Sequence, residues 1–247
     1  GVTATARNGG NMVIDASAVD GQWNETQRLV PGEPVSSMDI YDNTLVLVTI
    51  DNTTDSKHIL VYTKDVMDSG RWRLMQSFNE SLRKAYTYQV AIHGNVFVVA
   101  GRHPDSGEAL VFERSESDGK WNQTDMLDSP DLVEFDKVVA VHDEVIVVGT
   151  AVNLNQFRDG QRAELRVFEK SGHNASLGLD PPTTQRSIER TSTWQLTRRL
   201  QTSDQLVRWF SSIDMDQDTI AVVGHGQTLS AAAYLFDKNT KDGDESS

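Results

Sequence analysis

The chain has 247 residues, 38% hydrophobic and 24% charged, a balance typical of folded globular proteins and unlike disordered ones. Its formal charge of -13 repels phosphate backbones and anionic lipid, which argues against nucleic acid as a partner. The absence of cysteine removes thiol catalysis, disulfides and cysteine-type zinc sites together.

In chain order, the first strand signal is Met12-Val13-Ile14-Asp15, followed by Gly21-x-Trp23 and a polar strand ending near Leu29. A short apolar strand and tight turn come next, Met38 to Asn43 (MDIYDN). The block LVLV from Leu45 and the strand LVYTK from Leu60 complete a unit. The order then repeats. Gly70-x-Trp72 opens a strand ending near Phe78, followed by VAIHGN from Val90, VFVV from Val96 and LVFER from Leu110. Gly119-x-Trp121 opens the third unit, with Leu127, VAVHDE from Val139, VIVV from Val145 and RVFEK from Arg166. Trp194 opens the fourth, with Leu200, IDMDQD from Ile213, IAVV from Ile220 and YLFDK from Tyr234. Trp23, Trp72 and Trp121 fall at an even interval of 49 residues. The interval to Trp194 is longer because of a polar insertion at residues 171–192, whose Pro181-Pro182 pair and sequon mark an exposed loop.

Each unit thus holds four strands in roughly 50 residues, with a Gly/Asn/Asp-rich hairpin between its second and third strands. The third strand is apolar throughout, as a strand covered on both faces requires. The fourth alternates and ends in charge, the pattern expected near a sheet edge. The expected fold is all-β: a β-propeller of four-stranded antiparallel blades, with about four complete repeats and one extra N-terminal strand. A string of independent β-sandwiches is the alternative, but such units are small for free-standing cores. The repeats fall at about 21–70, 71–119, 120–192 and 193–238, with a polar tail at 239–247. Trp23, Trp72, Trp121 and Trp194, with Tyr62, Phe112, Phe168 and Phe236 of the last strand, are expected to fill the wedges between blades. Trp209 lies outside the repeat slot and is the better candidate for an exposed contact. Either the chain belongs to a longer propeller with further blades, or it is a small closed ring in which the extra strand covers an edge.

The segment VAIHGNVFVVAGRHPDSGEALVFERSESDGKWNQTDML, from Val90 to Leu127, resembles the FG-GAP class of propeller repeats related to integrin α-subunit heads. The likeness runs from about Asn11 to Lys238. The literal Phe-Gly and Gly-Ala-Pro signatures are absent, and Val99-Ala100-Gly101-Arg102 stands in their place. The resemblance implies a non-catalytic extracellular or cell-surface module for adhesion, structural assembly, or binding of protein or glycan partners through its loops. The alternatives are a propeller-type glycan hydrolase or lyase with its site at the channel mouth, and an architectural subunit of a filament or sheath contacting other subunits.

Chemistry-bearing residues are sparse. There is no G-x-S-x-G elbow, and no acid/base pair can be singled out, so no catalytic residue and no enzyme activity is expected. No cofactor is expected, although calcium is considered because integrin-like repeats can carry an acidic loop. The loops DNTTDSKH from Asp51, RHPDSGEA from Arg102 and GHGQTLSA from Gly224 all lack the full ligand pattern. Asp51 with Asp55 is the best of them. The string Asp214-x-Asp216-x-Asp218 falls on a hairpin and reads as a solvated acidic turn. His93 and His142 share one slot in successive repeats, and are expected in different blades rather than beside each other, so no histidine metal site is expected. Five sequons, at Asn24, Asn52, Asn79, Asn122 and Asn174, favour an extracellular or secretory-lumen glycoprotein. No apolar run approaches the roughly 20 residues of a bilayer-spanning helix, and no direct membrane insertion is expected.

Overall fold

In a computed structural model of the chain, the structure describes residues 2–7, 10–16, 23–51, 57–65, 70–78, 87–102, 107–128, 134–151, 163–171, 193–203, 207–226 and 231–238. These form an all-β array of five antiparallel sheets, the blades of a β-propeller. Sheet A holds β1 (Val2–Arg7), β2 (Gly10–Ala16) and β3 (Trp23–Leu29). Sheet B holds β4 (Val35–Tyr41), β5 (Thr44–Ile50), β6 (Lys57–Lys64) and β7 (Trp72–Phe78). Sheet C holds β8 (Thr87–His93), β9 (Val96–Arg102), β10 (Gly107–Arg114) and β11 (Trp121–Asp128). Sheet D holds β12 (Glu134–His142), β13 (Val145–Ala151), β14 (Leu165–Lys170) and β15 (Trp194–Leu200). Sheet E holds β16 (Val207–Asp216), β17 (Thr219–Gly226) and β18 (Ala231–Asp237).

The tryptophan strand closes a sheet and does not open one. β7 pairs with β6, β11 with β10 and β15 with β14. Connection length explains this for β7 and β11, while β15 pairs with β14 across the longer connection at 171–193. Between β6 and β7 the chain turns within a few residues, held by Gly70 N–H to Asp65 O at 2.9 Å and Asp65 N–H to Arg71 O at 2.8 Å. Ser115 and Lys120 close the next turn in the same way, at 2.7 Å. Gly70 and Gly119 take left-handed φ values of 65° and 69°, conformations glycine adopts without penalty. A hairpin that tight lets the tryptophan strand pair only with its predecessor. The LVYTK-type strand is therefore interior: β6, β10 and β14 each have neighbours on both sides, and the edge expected there falls on the tryptophan strand. The expected extra strand, Met12–Asp15, lies in β2 and pairs with the first tryptophan strand, β3, as β10 pairs with β11, while β1 lies on its other side.

The apolar blocks occupy the predicted place at the sheet centres. In β5 the six residues from Thr44 to Thr49 are all buried, with Leu47 opposite Met38 on one side and Leu60 on the other. A register shift recurs before the repeat aromatic: at Val61/Tyr62, Val111/Phe112 and Val167/Phe168, with its counterpart at Val13/Ile14. Such a bulge increases local twist, and its recurrence gives the blades a common shape.

The core lies between blades. Trp121 of sheet C packs with Val46, Ile59 and Val61 of sheet B, and Trp194 of sheet D packs with Val98, Ala109 and Val111 of sheet C. Trp72 joins Leu29 of sheet A to Leu45 and Leu47. A side chain four residues after Trp23, Trp72 and Trp121 holds the backbone of the next blade. Gln27 accepts from Trp72 N–H at 2.7 Å and donates to Trp72 O at 3.0 Å. Gln76 does the same for Trp121, at 3.0 and 2.7 Å. Asp125 accepts from Trp194 N–H at 3.3 Å. Arg198 stands at the corresponding place in sheet D, and lines a cavity of about 700 Å³ between sheets D and E floored by Val145, Val167, Met215 and Phe236.

Candidate functional site

Four hairpins build the site, joining β4 to β5, β8 to β9, β12 to β13 and β16 to β17. Each turns on two residues: Asp42-Asn43, Gly94-Asn95, Asp143-Glu144 and Gln217-Asp218. The first residue of every turn takes a left-handed φ, between 49° and 59°. Glycine fits this freely and aspartate tolerates it through local hydrogen bonding. The strands leading into these turns, β4, β8, β12 and β16, pack on one another in succession. Residues in the same repeat slot thereby become neighbours around one rim.

The last residues of those strands form a contiguous row: Tyr41, His93, His142 and Asp216. The Tyr41 and His93 rings lie 4.4 Å apart and tilted by 55°. His93 and His142 stack at 4.2 Å, 25° from parallel. The Asp216 carboxylate comes within 3.8 Å of His142 Nε2. The expectation that the two histidines would be separated by their blades is thus corrected. Radial repetition places equivalent inner-strand ends side by side, so a separation of 49 residues in sequence becomes direct contact.

Asp143 completes the group. Its backbone N–H donates to His93 Nδ1 at 3.0 Å, and its carboxylate lies 3.3 Å from His93 Nδ1 and 3.6 Å from His142 Nδ1. Both histidines are mostly buried and Asp143 is exposed. Burial holds the His93 pKa below its ordinary value; the neighbouring His142 adds to this, while Asp143 and Asp216 oppose it. Among the described residues, His93, His142 and Asp143 are the group placed closely enough to hold a metal ion, their ligand atoms all lying within 4.8 Å of one another.

One layer inward, Asp39 occupies the slot that Asp214 fills in the fourth hairpin. Asp39 accepts from Ile40 N–H and from Ile92 N–H, each at 2.8 Å, and Ser37 accepts from Val90 N–H at 3.1 Å. Sheet B thus satisfies edge amides of β8. Burial raises the Asp39 pKa above its ordinary 3.8, the two amides oppose the rise, and Asp214 adds to it.

The remaining sequence candidates are dispersed. Asp51 is half-buried just after β5, and Asp55 lies outside the described residues. Asp214, Asp216 and Asp218 are all exposed. Asp214 accepts from Met215 N–H at 2.9 Å, and Asp216 turns to His142. Of the sequons, Asn122 is exposed on the outer strand β11, Asn24 lies on β3, and Asn52, Asn79 and Asn174 lie outside the described residues, as does 172–192 of the polar insertion. Trp72, Trp121, Trp194, Phe112, Phe168 and Tyr62 are buried, Phe236 is half-buried, and the Trp23 side chain lies outside the described residues. Trp209 is half-buried and stacks on His225 at 5.4 Å. Sequence reasoning missed Asp143 and the Gln27 and Gln76 clamps. The fixed offset of the two glutamines from Trp23 and Trp72 was the available signal.

No family model and no curated protein matches the chain. Among solved structures, the crystal structure of a Lactobacillus plantarum protein is similar at 11% identity and a TM-score of 0.48, over 92% of this chain and 64% of that one. The phage phi92 endosialidase is similar at 11% identity and a TM-score of 0.44, over 98% of this chain and 48% of that one. The chain therefore spans less than two thirds of the length of either.

Proposed function

We propose that this chain is a non-catalytic binding module of a secreted or cell-surface β-propeller of the FG-GAP type, presenting the hairpin rim and adjoining loops to a protein or glycan partner. The observation that carries the reading is the use made of Asp39. As the half-buried carboxylate beneath the rim, it would be the natural acid or base of a hydrolase. Both of its oxygens are instead engaged by backbone amides of two blades, where they join β4 to β8. The groups left facing solvent, Tyr41, Asp143 and Asp216, suit recognition of a polar partner. The exposed Asn122 sequon supports a secretory location, because a glycan there meets no packed surface.

A hydrolase is the second reading, favoured by the presence of two carboxylates, Asp39 and Asp214, in the same slot of strands that line one rim. Binding of the intact chain to a panel of oligosaccharides and surface proteins, with mass spectrometry of the supernatant, separates the two. The expected result is saturable binding with every ligand recovered intact. Release of a cleaved sugar, abolished by Asp214→Asn, would overturn the non-catalytic reading.

A further inference from the structure

We propose that His93, His142 and Asp143 form a binding site for one divalent transition-metal ion of the zinc class, with Asp216 orienting His142 from outside. A four-coordinate ion with bonds of about 2.0–2.1 Å separates its ligand atoms by roughly 3.3–3.4 Å. Asp143 Oδ1 stands 3.3 Å from His93 Nδ1 and Asp143 Oδ2 stands 3.6 Å from His142 Nδ1, so the carboxylate faces both rings at close to a ligand-to-ligand separation, one oxygen towards each. The remaining nitrogen-to-nitrogen edge falls within the 4.8 Å spread of the group, and modest rotation of one ring closes it.

The protonation pattern points the same way. His93 Nδ1 accepts the Asp143 amide hydrogen, so this nitrogen presents its lone pair. A carboxylate oxygen faces the same atom at 3.3 Å. Two electron-pair donors held against each other gain from a cation placed between them. The ion displaces the amide from His93, and that amide sits in an exposed turn where water replaces the lost bond at small cost. On the far side of His142, Nε2 lies 3.8 Å from the Asp216 carboxylate. A carboxylate behind the non-ligating nitrogen is the usual outer partner of a metal-bound histidine, fixing its tautomer and ring direction. Imidazole with carboxylate selects zinc, copper or nickel over calcium and magnesium, which take all-oxygen sets. Asp143 leaves the fourth position open to solvent or to a group carried by a partner. The site stands on its own geometry and does not depend on the binding-module reading.

The test is calorimetric titration of the intact chain with zinc chloride in millimolar calcium and magnesium, paired with NMR of the imidazole nitrogens. One saturable site per chain is expected, with the His93 and His142 nitrogens shifting together. His142→Gln and His93→Gln should each weaken binding at least tenfold, and Asp216→Asn by a smaller factor. Absence of saturable binding would overturn the proposal, as would binding that leaves the His93 and His142 resonances of the wild-type chain in place. The wild-type resonances decide the matter even if a variant fails to fold. Displacement of zinc by millimolar calcium would overturn the assigned metal class.

Discussion

Asp39 and Gly149 show how single positions carry the blade-to-blade design. The folded chain holds a proton on Asp39 to a higher pH than the unfolded chain does, because burial raises its pKa from 3.8. The resulting stabilisation is complete below that ordinary value and is lost as pH rises through the raised folded value. Urea denaturation across this window should therefore show wild-type stability falling relative to Asp39→Asn as pH rises. Parallel curves for the two proteins would contradict the assignment. At Gly149 the constraint is steric. A Cβ there would stand 2.3 Å from Val138 Cγ2 and 3.1 Å from the Phe210 ring, both fully buried. Gly149→Ala should cost about 1–3 kcal/mol through overpacking between sheets D and E, measured by chemical denaturation. The glycine ending the β-branched block was visible in the sequence. The neighbours that make it necessary were not: Val138 falls at the register irregularity of β12, and Phe210, which tightens the site further, belongs to the following blade.

At the scale of the element, the tryptophan strand is the joint of the array. Trp121 is buried against sheet B while Gln76 of that sheet holds its backbone N–H and C=O. Trp121→Ala should destabilise by about 3–5 kcal/mol, the range for a large aromatic removed from a packed core. Gln76→Ala should cost roughly 1–3 kcal/mol through two lost hydrogen bonds. The double variant should lose less than the sum, since both act on one joint, and a double-mutant cycle measures the shortfall. Strand identities were legible because an even repeat superimposes four copies of each pattern. Sheet membership was less so. Periodicity says that a tryptophan strand follows LVYTK but not which sheet it joins. The tight turns at Gly70 and Gly119 decide that, and they are local features of backbone conformation.

At the scale of the molecule, the arrangement of blades turns a sequence interval into spatial contact. His93 and His142 belong to different blades, and that much the sequence told correctly. Their adjacency depends on radial packing of β4, β8, β12 and β16, which brings equivalent strand ends onto one rim. The candidate site was invisible in the sequence for the same reason. Its members come from separate repeats, with no short ligand spacing to announce them. Convergence of the hairpins underlies both the binding-module reading and the metal site, and the chain's freedom from cysteine permits a clean test. With His93→Cys and His142→Cys combined, the two thiols replace rings stacked at 4.2 Å and lie within the span of a short bifunctional thiol reagent. Treatment of the dilute double variant with a short bismaleimide should give one intramolecular crosslink, seen as a mobility shift and as a linked peptide pair by mass spectrometry. Two unlinked thiols, or dimers alone, would contradict convergence of the blades on a common rim.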